Sequence, residues 1–255
     1  MNQISSIRTF TTIGSTNDYA AEWAAQGAPH LSLVIADEQT AGRGRGDRRW
    51  FTPPGAALAF SLILKPHTAQ TITRYAGLGA LAVCHSLQDL GLPARIKWPN
   101  DVLINRRKTC GILAEASWLG DHIQSIILGI GVNVTPQSVP PPDWPGHHEH
   151  PFPPTCVQTE LGRPLDRHDL LQTILNRLCA WLPRLEHPDF LRAWEENLAL
   201  RGEWVHIYAG DASPLKAQII NLNPDGSLNV RLPSGRIQRL HDGEIHLRPV
   251  DSSTK

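Results

Sequence analysis

Four strand-like segments follow one another between residues 95 and 134 without an intervening helix, and this run limits the fold more than any other feature. The segments are Arg95–Trp98, Val102–Ile104, Lys108–Trp118 and His122–Val134. Gly120-Asp121 separates the last two, which is typical of a hairpin turn. Parallel neighbours would need long crossover connections, and these connections are short. We therefore predict an α+β fold with an antiparallel or mixed sheet rather than a doubly wound one.

Apolar patterning and capping signals predict the other elements of the first 200 residues. Ser15 and Asp18 have capping-box spacing and predict a helix that ends near Gln26. Largely apolar runs predict buried strands over Leu31–Ala36 and Ala57–Leu64. Further helices are predicted over Thr71–Leu90, Asp166–Leu182 and Pro188–Leu200. Between these elements, Pro136–Pro154 holds eight prolines in nineteen residues and predicts an irregular surface loop. Its His147, His148 and His150 lack the spacing of a metal site.

The pattern changes after Arg201-Gly202. Five short strand-like runs follow, over Trp204–Tyr208, Leu215–Asn221, Leu228–Leu232, Ile237–Leu240 and Glu244–Leu247. So many short strands in so few residues predict a small barrel. We place a domain boundary near residue 201, giving domains over 1–200 and 201–255. The second domain could serve to complete the packing of the fold or contribute to binding.

Charge and cysteine content narrow the class of protein. Lys and Arg together number 24 and so do Asp and Glu, so the net charge is zero. A neutral chain argues against non-specific DNA binding or adhesion to anionic membranes as its main activity. No apolar run reaches the roughly 18 residues of a membrane helix, and the first fourteen residues do not resemble a signal peptide. The four widely spaced cysteines predict free thiols in a cytoplasmic protein.

The segment Gln39–Trp50 carries the strongest chemical signal. It places Arg43, Arg45, Arg48 and Arg49 among three glycines. Glycines allow close approach of the backbone, and guanidinium groups offer bidentate donors suited to phosphate or carboxylate. The segment therefore predicts an anion-binding loop. A solvated basic loop and a loop contacting nucleic acid are the alternatives.

Three more segments contain polar residues or glycines in unusual positions. Lys97-Trp-Pro-Asn-Asp101 could orient a ligand or a magnesium ion, or simply cap a turn. Arg106–Gly111 brings a lysine, Lys108, into a strand beside a glycine, although a charged hairpin turn would look similar. Gly129-Ile-Gly-Val-Asn133 would present a flat strand face to a ring, or form a tightly packed core strand.

Together these segments resemble the biotin protein ligases, over nearly the whole chain. The resemblance rests on Ser15-Thr16-Asn17, the Gln39–Trp50 loop, Lys97–Asp101, Lys108–Gly111 and Gly129–Asn133, with Gly243–Arg248 near the C-terminus. Gly46-Asp47 departs from the family loop, because Asp47 stands where a glycine is expected. The lipoate–protein ligases are the nearest enzyme alternative.

The resemblance implies a core like that of class II aminoacyl-tRNA synthetases and an SH3-like second domain. It implies that biotin is activated by ATP as biotinyl-5′-adenylate and passed to a lysine of a biotin carboxyl carrier domain of acetyl-CoA carboxylase or a related carboxylase. The catalytic residues implied are Lys108, Arg45 and Asp101, the last also as a ligand of Mg²⁺. Those implied for biotin are Ser15, Thr16, Asn17, Gln39, Gly42, Arg43, Gly44, Arg45, Lys108 and Gly111. Those implied for ATP and the adenylate are Arg43, Arg45, Trp50, Asn100, Lys108 and Asn133.

Some members of that family carry an N-terminal DNA-binding domain and act as repressors. Here fourteen residues precede Ser15, far fewer than the roughly 40 below which small domains seldom fold alone. We therefore expect no operator binding. The sequence leaves the oligomeric state open, including a homodimer.

Overall fold

The computed structural model describes residues 3–66, 72–144, 151–209, 213–241 and 245–249. The histidines at 147, 148 and 150 and the start of the predicted helix at Thr71 lie outside the described residues. The helices are α1 (Thr16–Ala25), α2 (Ile72–Asp89), α3 (Val157–Leu161), α4 (Arg167–Trp181) and α5 (Pro188–Glu196). The strands are β1 (Ser6–Ile13), β2 (Ser32–Gln39), β3 (Ala57–Leu64), β4 (Ala94–Lys97), β5 (Asp101–Ile104), β6 (Arg107–Leu119), β7 (His122–Asn133), β8 (Trp204–Ala209), β9 (Leu215–Leu222), β10 (Leu228–Arg231), β11 (Ile237–Leu240) and β12 (Ile245–Pro249).

The first seven strands form one mixed sheet in the order β1-β2-β3-β7-β6-β5-β4. Only β1 and β2 run parallel to each other, and the other neighbours are antiparallel. The α+β fold with a mixed sheet is therefore confirmed. The long hairpin of β6 and β7 lies at its centre.

Both faces of the sheet are covered, which explains why β3 is buried along its whole length. Side chains alternate between faces along a strand. Ile63 of β3 packs with Ala20 and Ala24 of α1, whereas Leu62 and Leu64 join the larger cluster that contains α2. A strand between two helical layers is therefore mostly apolar, and its one polar residue, Ser61, is hydrogen-bonded to Thr16 and Asn17.

The second sheet is antiparallel, in the order β11-β10-β9-β8-β12. The five strands predicted after residue 201 are thus present, with Glu244, the predicted start of the last one, outside the described residues. The described pairings do not join β11 to β12, so closure into a barrel stays a prediction.

The two sheets share one apolar core, since a single cluster of buried side chains includes residues from both. Trp98 at the end of β4 donates its indole N–H to the Gly226 carbonyl at 2.9 Å. Gly77 of α2 and Gly226 both lie against the ring of Trp194. The boundary at residue 201 stays a prediction.

Three parts of the sequence prediction miss the observed elements. β1 and the five-residue α3 were not predicted, and α5 ends at Glu196 rather than near Leu200. Asn197 follows α5, and its side-chain amide donates a hydrogen bond to the Ala193 carbonyl at 2.8 Å. In the described parts of the chain, no helix combines the length and the apolar character needed to cross a bilayer.

Candidate functional site

The glycine- and arginine-rich segment folds back on itself as a small hairpin. Gly42 and Trp50 are joined by a backbone hydrogen bond of 2.8 Å, and Gly44 donates to the Arg48 carbonyl at 2.7 Å. A Cβ on Gly42 would lie 2.5 Å from the Trp50 carbonyl oxygen, so this close crossing requires glycine. Gly46 near the tip has a φ of +59°. The left-handed residue is therefore Gly46, and Asp47 needs no unusual backbone conformation.

Trp50 lies flat on the strands below it. A Cβ on Gly131 of β7 would come within 2.3 Å of the Trp50 indole nitrogen, and one on Gly111 of β6 within 3.0 Å of its ring. The flat face predicted from the glycines therefore exists, and Trp50 covers it. The buried indole N–H of Trp50 has no hydrogen-bond partner among the described residues, and an unpaired buried donor costs free energy.

The N-terminus of α1 forms a hydrogen-bonded end of the site. Ser15 caps the helix by accepting from the Asp18 amide. Thr16 donates both its amide, at 2.8 Å, and its hydroxyl, at 3.0 Å, to the Gln39 side-chain oxygen. Gln39 in turn donates to Thr52 at 3.2 Å. This arrangement offers neutral donors and acceptors, with little charge, to whatever lies against it.

Asn17 fills the space beside Gly129. Its amide donates to the Glu115 carboxylate at 2.7 Å, and its carbonyl lies 2.6 Å from the Ser61 hydroxyl. A Cβ on Gly129 would approach that carbonyl oxygen to 2.1 Å. Glycine at 129 therefore makes room for the Asn17 side chain.

Lys108 and Lys97 share one carboxylate, that of Asp101. The Lys108 ammonium lies 2.6 Å from one carboxylate oxygen, and the Lys97 ammonium lies 3.2 Å from the other. Lys97 and Asp101 are buried, whereas the Lys108 side chain keeps 20% of its surface exposed. Burial lowers the pKa of Lys97, and the nearby Asp101 carboxylate partly opposes this. Of the two lysines, Lys108 is therefore the one whose positive charge faces the cleft.

Two loop arginines bind to different parts of the sheet. Arg45 donates to the Asn100 side-chain oxygen at 3.2 Å, and Asn100 donates to the Ile112 carbonyl at 2.7 Å. Arg43 forms a bidentate pair with Glu115, with both bonds at 2.7 Å, and a 2.8 Å ion pair with Asp18. The hydrogen bonds that Arg43 donates to the Glu115 carboxylate raise the pKa of Arg43.

These groups surround one cleft. Most of the residues chosen from the sequence line it, namely Ser15, Thr16, Asn17, Gln39, Arg43, Gly44, Arg45, Trp50, Asn100, Asp101, Lys108 and Gly111. Gly42 and Asn133 are not in its wall. The Asn133 amide donates to the Thr155 carbonyl at 3.0 Å, so in this structure it is directed to the backbone.

Several wall residues were not chosen as site residues from the sequence. They are Arg48, Arg49, Ile112, Leu113, Gly129, Ile130 and Gly131. Arg48 and Arg49 belong to the same loop, so its composition was the available signal. Glu115 was not predicted as a site residue either. A carboxylate between two alanines of an apolar strand is nevertheless a sign that the residue has a specific polar partner.

Asp101 does not fit the role of a magnesium ligand. Each of its two oxygens contacts a lysine ammonium, whereas Mg²⁺ needs those oxygens for coordination. Among the described residues, no group of three His, Cys, Asp or Glu side chains is placed to hold a metal ion. The implied assignment of Mg²⁺ to Asp101 is therefore not supported by this geometry.

Comparison with known proteins gives consistent matches. Residues 9–133 match the Biotin/lipoate A/B protein ligase family. The biotin–[acetyl-CoA-carboxylase] ligase of Paracoccus denitrificans is 35% identical over 219 residues, which cover 82% of this chain and 89% of that protein. The bifunctional ligase/repressor BirA of Bacillus subtilis is 41% identical over 165 residues, which cover 64% of this chain and 49% of that protein. The chain thus spans about half of the Bacillus relative.

The fold comparison points the same way. The biotin protein ligase of Aquifex aeolicus, solved in complex with biotin and ATP, superimposes with a TM-score of 0.82 at 25% identity, covering 96% of this chain and 100% of that one. Its likeness extends through both sheets. The alignment with the Paracoccus enzyme is the strongest evidence for the family, because it covers most of both chains. This chain belongs to the biotin protein ligase family of ligase enzymes.

Proposed function

We propose that this protein activates biotin with ATP as biotinyl-5′-adenylate and then transfers the biotinyl group to a lysine of a biotin carboxyl carrier domain. The observation that carries the proposal is the cleft itself. Neutral hydrogen-bonding groups at α1 form one end, and Lys108 and Arg45 bring positive charge to the middle. A neutral bicyclic ring with a carboxylate tail matches that distribution.

The first half-reaction joins two anions, so their repulsion is the main barrier. A carboxylate oxygen of biotin attacks the α-phosphorus of ATP, and the bond to pyrophosphate breaks. Lys108 is held by Asp101 at 2.6 Å and Arg45 by Asn100 at 3.2 Å. Cations fixed in advance lower the barrier without reorganising during the reaction.

The ring of biotin would lie against Ser15, Thr16, Asn17 and Gln39. These side chains are already ordered by mutual hydrogen bonds, so they lose little freedom on binding. Lys108 would lie beside the tail, with Gly44 bringing the loop backbone close and Gly111 accommodating the Trp50 ring next to it. Trp50 and Asn100 would face the nucleotide.

In the second half-reaction, a neutral lysine amine of the carrier attacks the acyl carbon of the mixed anhydride. An amide bond forms and the bond to AMP breaks. AMP leaves as a phosphate monoester, and the amine loses a proton. Asp101 contributes by holding Lys108, which faces the departing phosphate.

We propose that magnesium enters as part of the substrate, bound to the phosphates of ATP. The phosphate oxygens of ATP are better ligands for Mg²⁺ than a carboxylate whose oxygens already contact two lysines. An SH3-like second domain from residue 201, a class II synthetase-like core, adenine contact by Asn133 and a cytoplasmic location also remain part of the proposal.

Biotin-dependent exchange of pyrophosphate into ATP tests the first step. We expect exchange with biotin but with neither lipoate nor octanoate, and a carrier domain that gains one biotinyl mass when ATP and biotin are present. Lys108→Gln should lower the exchange rate strongly, whereas Lys216→Gln in the second sheet serves as the control. Exchange with lipoate, or with no acid at all, would contradict the proposal.

DNA binding is a separate matter, because the Bacillus relative is named as a repressor as well as a ligase. We propose that this chain lacks that activity. Salt-sensitive, biotin-dependent binding to a specific DNA site would overturn this part alone.

A further inference from the structure

Glu115 contacts two residues that line the cleft, Arg43 and Asn17. It lies on β6 and accepts three hydrogen bonds of 2.7 Å, two from the guanidinium of Arg43 and one from the amide of Asn17. Arg43 belongs to the glycine- and arginine-rich loop, and Asn17 belongs to α1. One carboxylate therefore holds the loop, the sheet and the hydrogen-bonded end of the cleft together.

The contacts continue beyond Asn17. Ser61 of β3 lies 2.6 Å from the Asn17 carbonyl oxygen and 2.8 Å from the Thr16 hydroxyl. Thr16 donates to Gln39, the residue from which the loop departs. The network thus closes a ring that begins and ends at the loop, and Glu115 is its negatively charged member.

The pair of Arg43 and Glu115 contributes orientation more than stability. Their side chains are 40% and 36% exposed, and ion pairs this close to solvent add little to folding stability. Bidentate geometry, however, fixes the guanidinium plane and with it the loop backbone at Gly42 and Gly44. Such a contact matters where a loop must close over a reactive intermediate.

The same contacts change what Arg43 can do. Asp18 and Glu115 together carry two negative charges against the single positive charge of Arg43. Because two carboxylates already neutralise the guanidinium of Arg43, it attracts a further anion only weakly. Arg45 and Lys108 also line the cleft.

We propose that Glu115 is a positioning residue, which holds the loop closed through Arg43 and links that closure to Asn17 at the biotin end. Arg43 then acts as the anchor of the loop rather than as a ligand of the reacting anions. This inference rests on the proposed function, because the consequence of loop closure is retention of the adenylate.

A double-mutant cycle tests the inference, using Glu115→Gln, Arg43→Gln and the double variant. Glu115→Gln keeps the size of the side chain and an acceptor for Asn17 but removes the charge. We expect each single variant to release biotinyl-5′-adenylate roughly five- to tenfold faster, and the double variant to be no worse than either, as for residues that act through one contact. The kcat for pyrophosphate exchange should change far less than the release rate. Glu22→Gln, an exposed carboxylate on α1, is the matched control.

Limited trypsin digestion gives a readout that does not depend on activity. Without ligands, Glu115→Gln should be cut faster within residues 43–49 than the wild type or Glu22→Gln, while the melting temperature barely moves. Unchanged cleavage and unchanged release in Glu115→Gln would overturn the inference. So would an Arg43→Gln effect on kcat that adds to that of Glu115→Gln, since Arg43 would then contact the anions itself. A wild type with no biotin-dependent exchange would instead refute the proposed function and leave the digestion result standing.

Discussion

Lys108 and Lys97 bind opposite oxygens of Asp101, at 2.6 and 3.2 Å. The carboxylate is 4% exposed and the Lys97 side chain 6%, so water screens the three charges poorly. Two positive charges face one negative charge, and the surplus is directed into the cleft on the more exposed Lys108. The group is a fixed cationic support for a reaction between anions.

Removing that carboxylate should affect both folding and catalysis. Asp101→Asn leaves two ammonium groups close together with no compensating charge, and breaking a buried pair in this way costs about 3–5 kcal/mol. We expect a loss of that size in urea unfolding and a large loss of exchange rate. Asp47→Asn in the exposed loop serves as the control. If Asp101→Asn unfolded like the wild type, the charges would not be coupled as described.

Lys97 should make stability depend on pH in the alkaline range. Burial lowers its pKa in the folded protein below the ordinary 10.5. Between that lowered value and 10.5 the unfolded chain binds more protons at this site than the folded one, so the Lys97 contribution makes unfolding less favourable as pH rises. Below the lowered pKa the full burial penalty applies. Urea unfolding across this window should show a more positive slope for wild type than for Lys97→Met; equal slopes would contradict the assignment.

Gly131 should tolerate no side chain. A Cβ there would meet the Trp50 indole nitrogen at 2.3 Å, whereas one on Gly14 meets nothing within 4 Å. We expect Gly131→Ala to displace Trp50, to cost about 1–3 kcal/mol of stability as overpacking does, and to raise the KM for ATP. Gly14→Ala is the matched control. If Gly131→Ala had a normal KM for ATP, Trp50 would not take part in nucleotide binding.

The sequence predicts best those elements whose pattern is set by burial on both faces. Ala57–Leu64 is buried throughout, and apolar except for Ser61, because α1 and α2 cover opposite sides of β3, and its observed bounds match the prediction. β1 went unnoticed because it is an edge strand with mostly exposed side chains, so no apolar period marks it. α3 has too few residues for a helical period to show.

Within the site, residue types could be predicted more easily than partners. The composition of the Gln39–Trp50 loop indicates anion binding, but it does not tell that Arg43 pairs with Glu115, 72 residues away. Such pairings depend on the register of β6 against β7. They also depend on where α1 lies over these two strands. A separation of that length leaves no local pattern in the chain.

The cysteines should differ in reactivity according to burial. Cys84, Cys110 and Cys156 are buried, and Cys179 is partly exposed. Burial raises the pKa of Cys84 to about 12, so hardly any thiolate forms at pH 8. A disulfide reagent at pH 8 should label Cys179 first in the native protein and all four thiols in urea. Rapid labelling of Cys84 without denaturant would show that this part of the core opens readily.

Arg45→Gly should separate adenylate synthesis from adenylate retention. The variant removes a guanidinium that contacts Asn100 at 3.2 Å but leaves Lys108 and its support by Asp101 in place. Activation of biotin should therefore continue, while loss of a charged hydrogen bond to the intermediate, worth about 1.5–3 kcal/mol, should speed its release roughly ten- to hundredfold. Free adenylate would then accumulate in solution and modify exposed lysines of unrelated proteins, a product that mass spectrometry detects. Arg163→Gly, outside the cleft wall, is the control. If the adenylate made by Arg45→Gly stays bound as long as that of the wild type, Arg45 does not hold the intermediate.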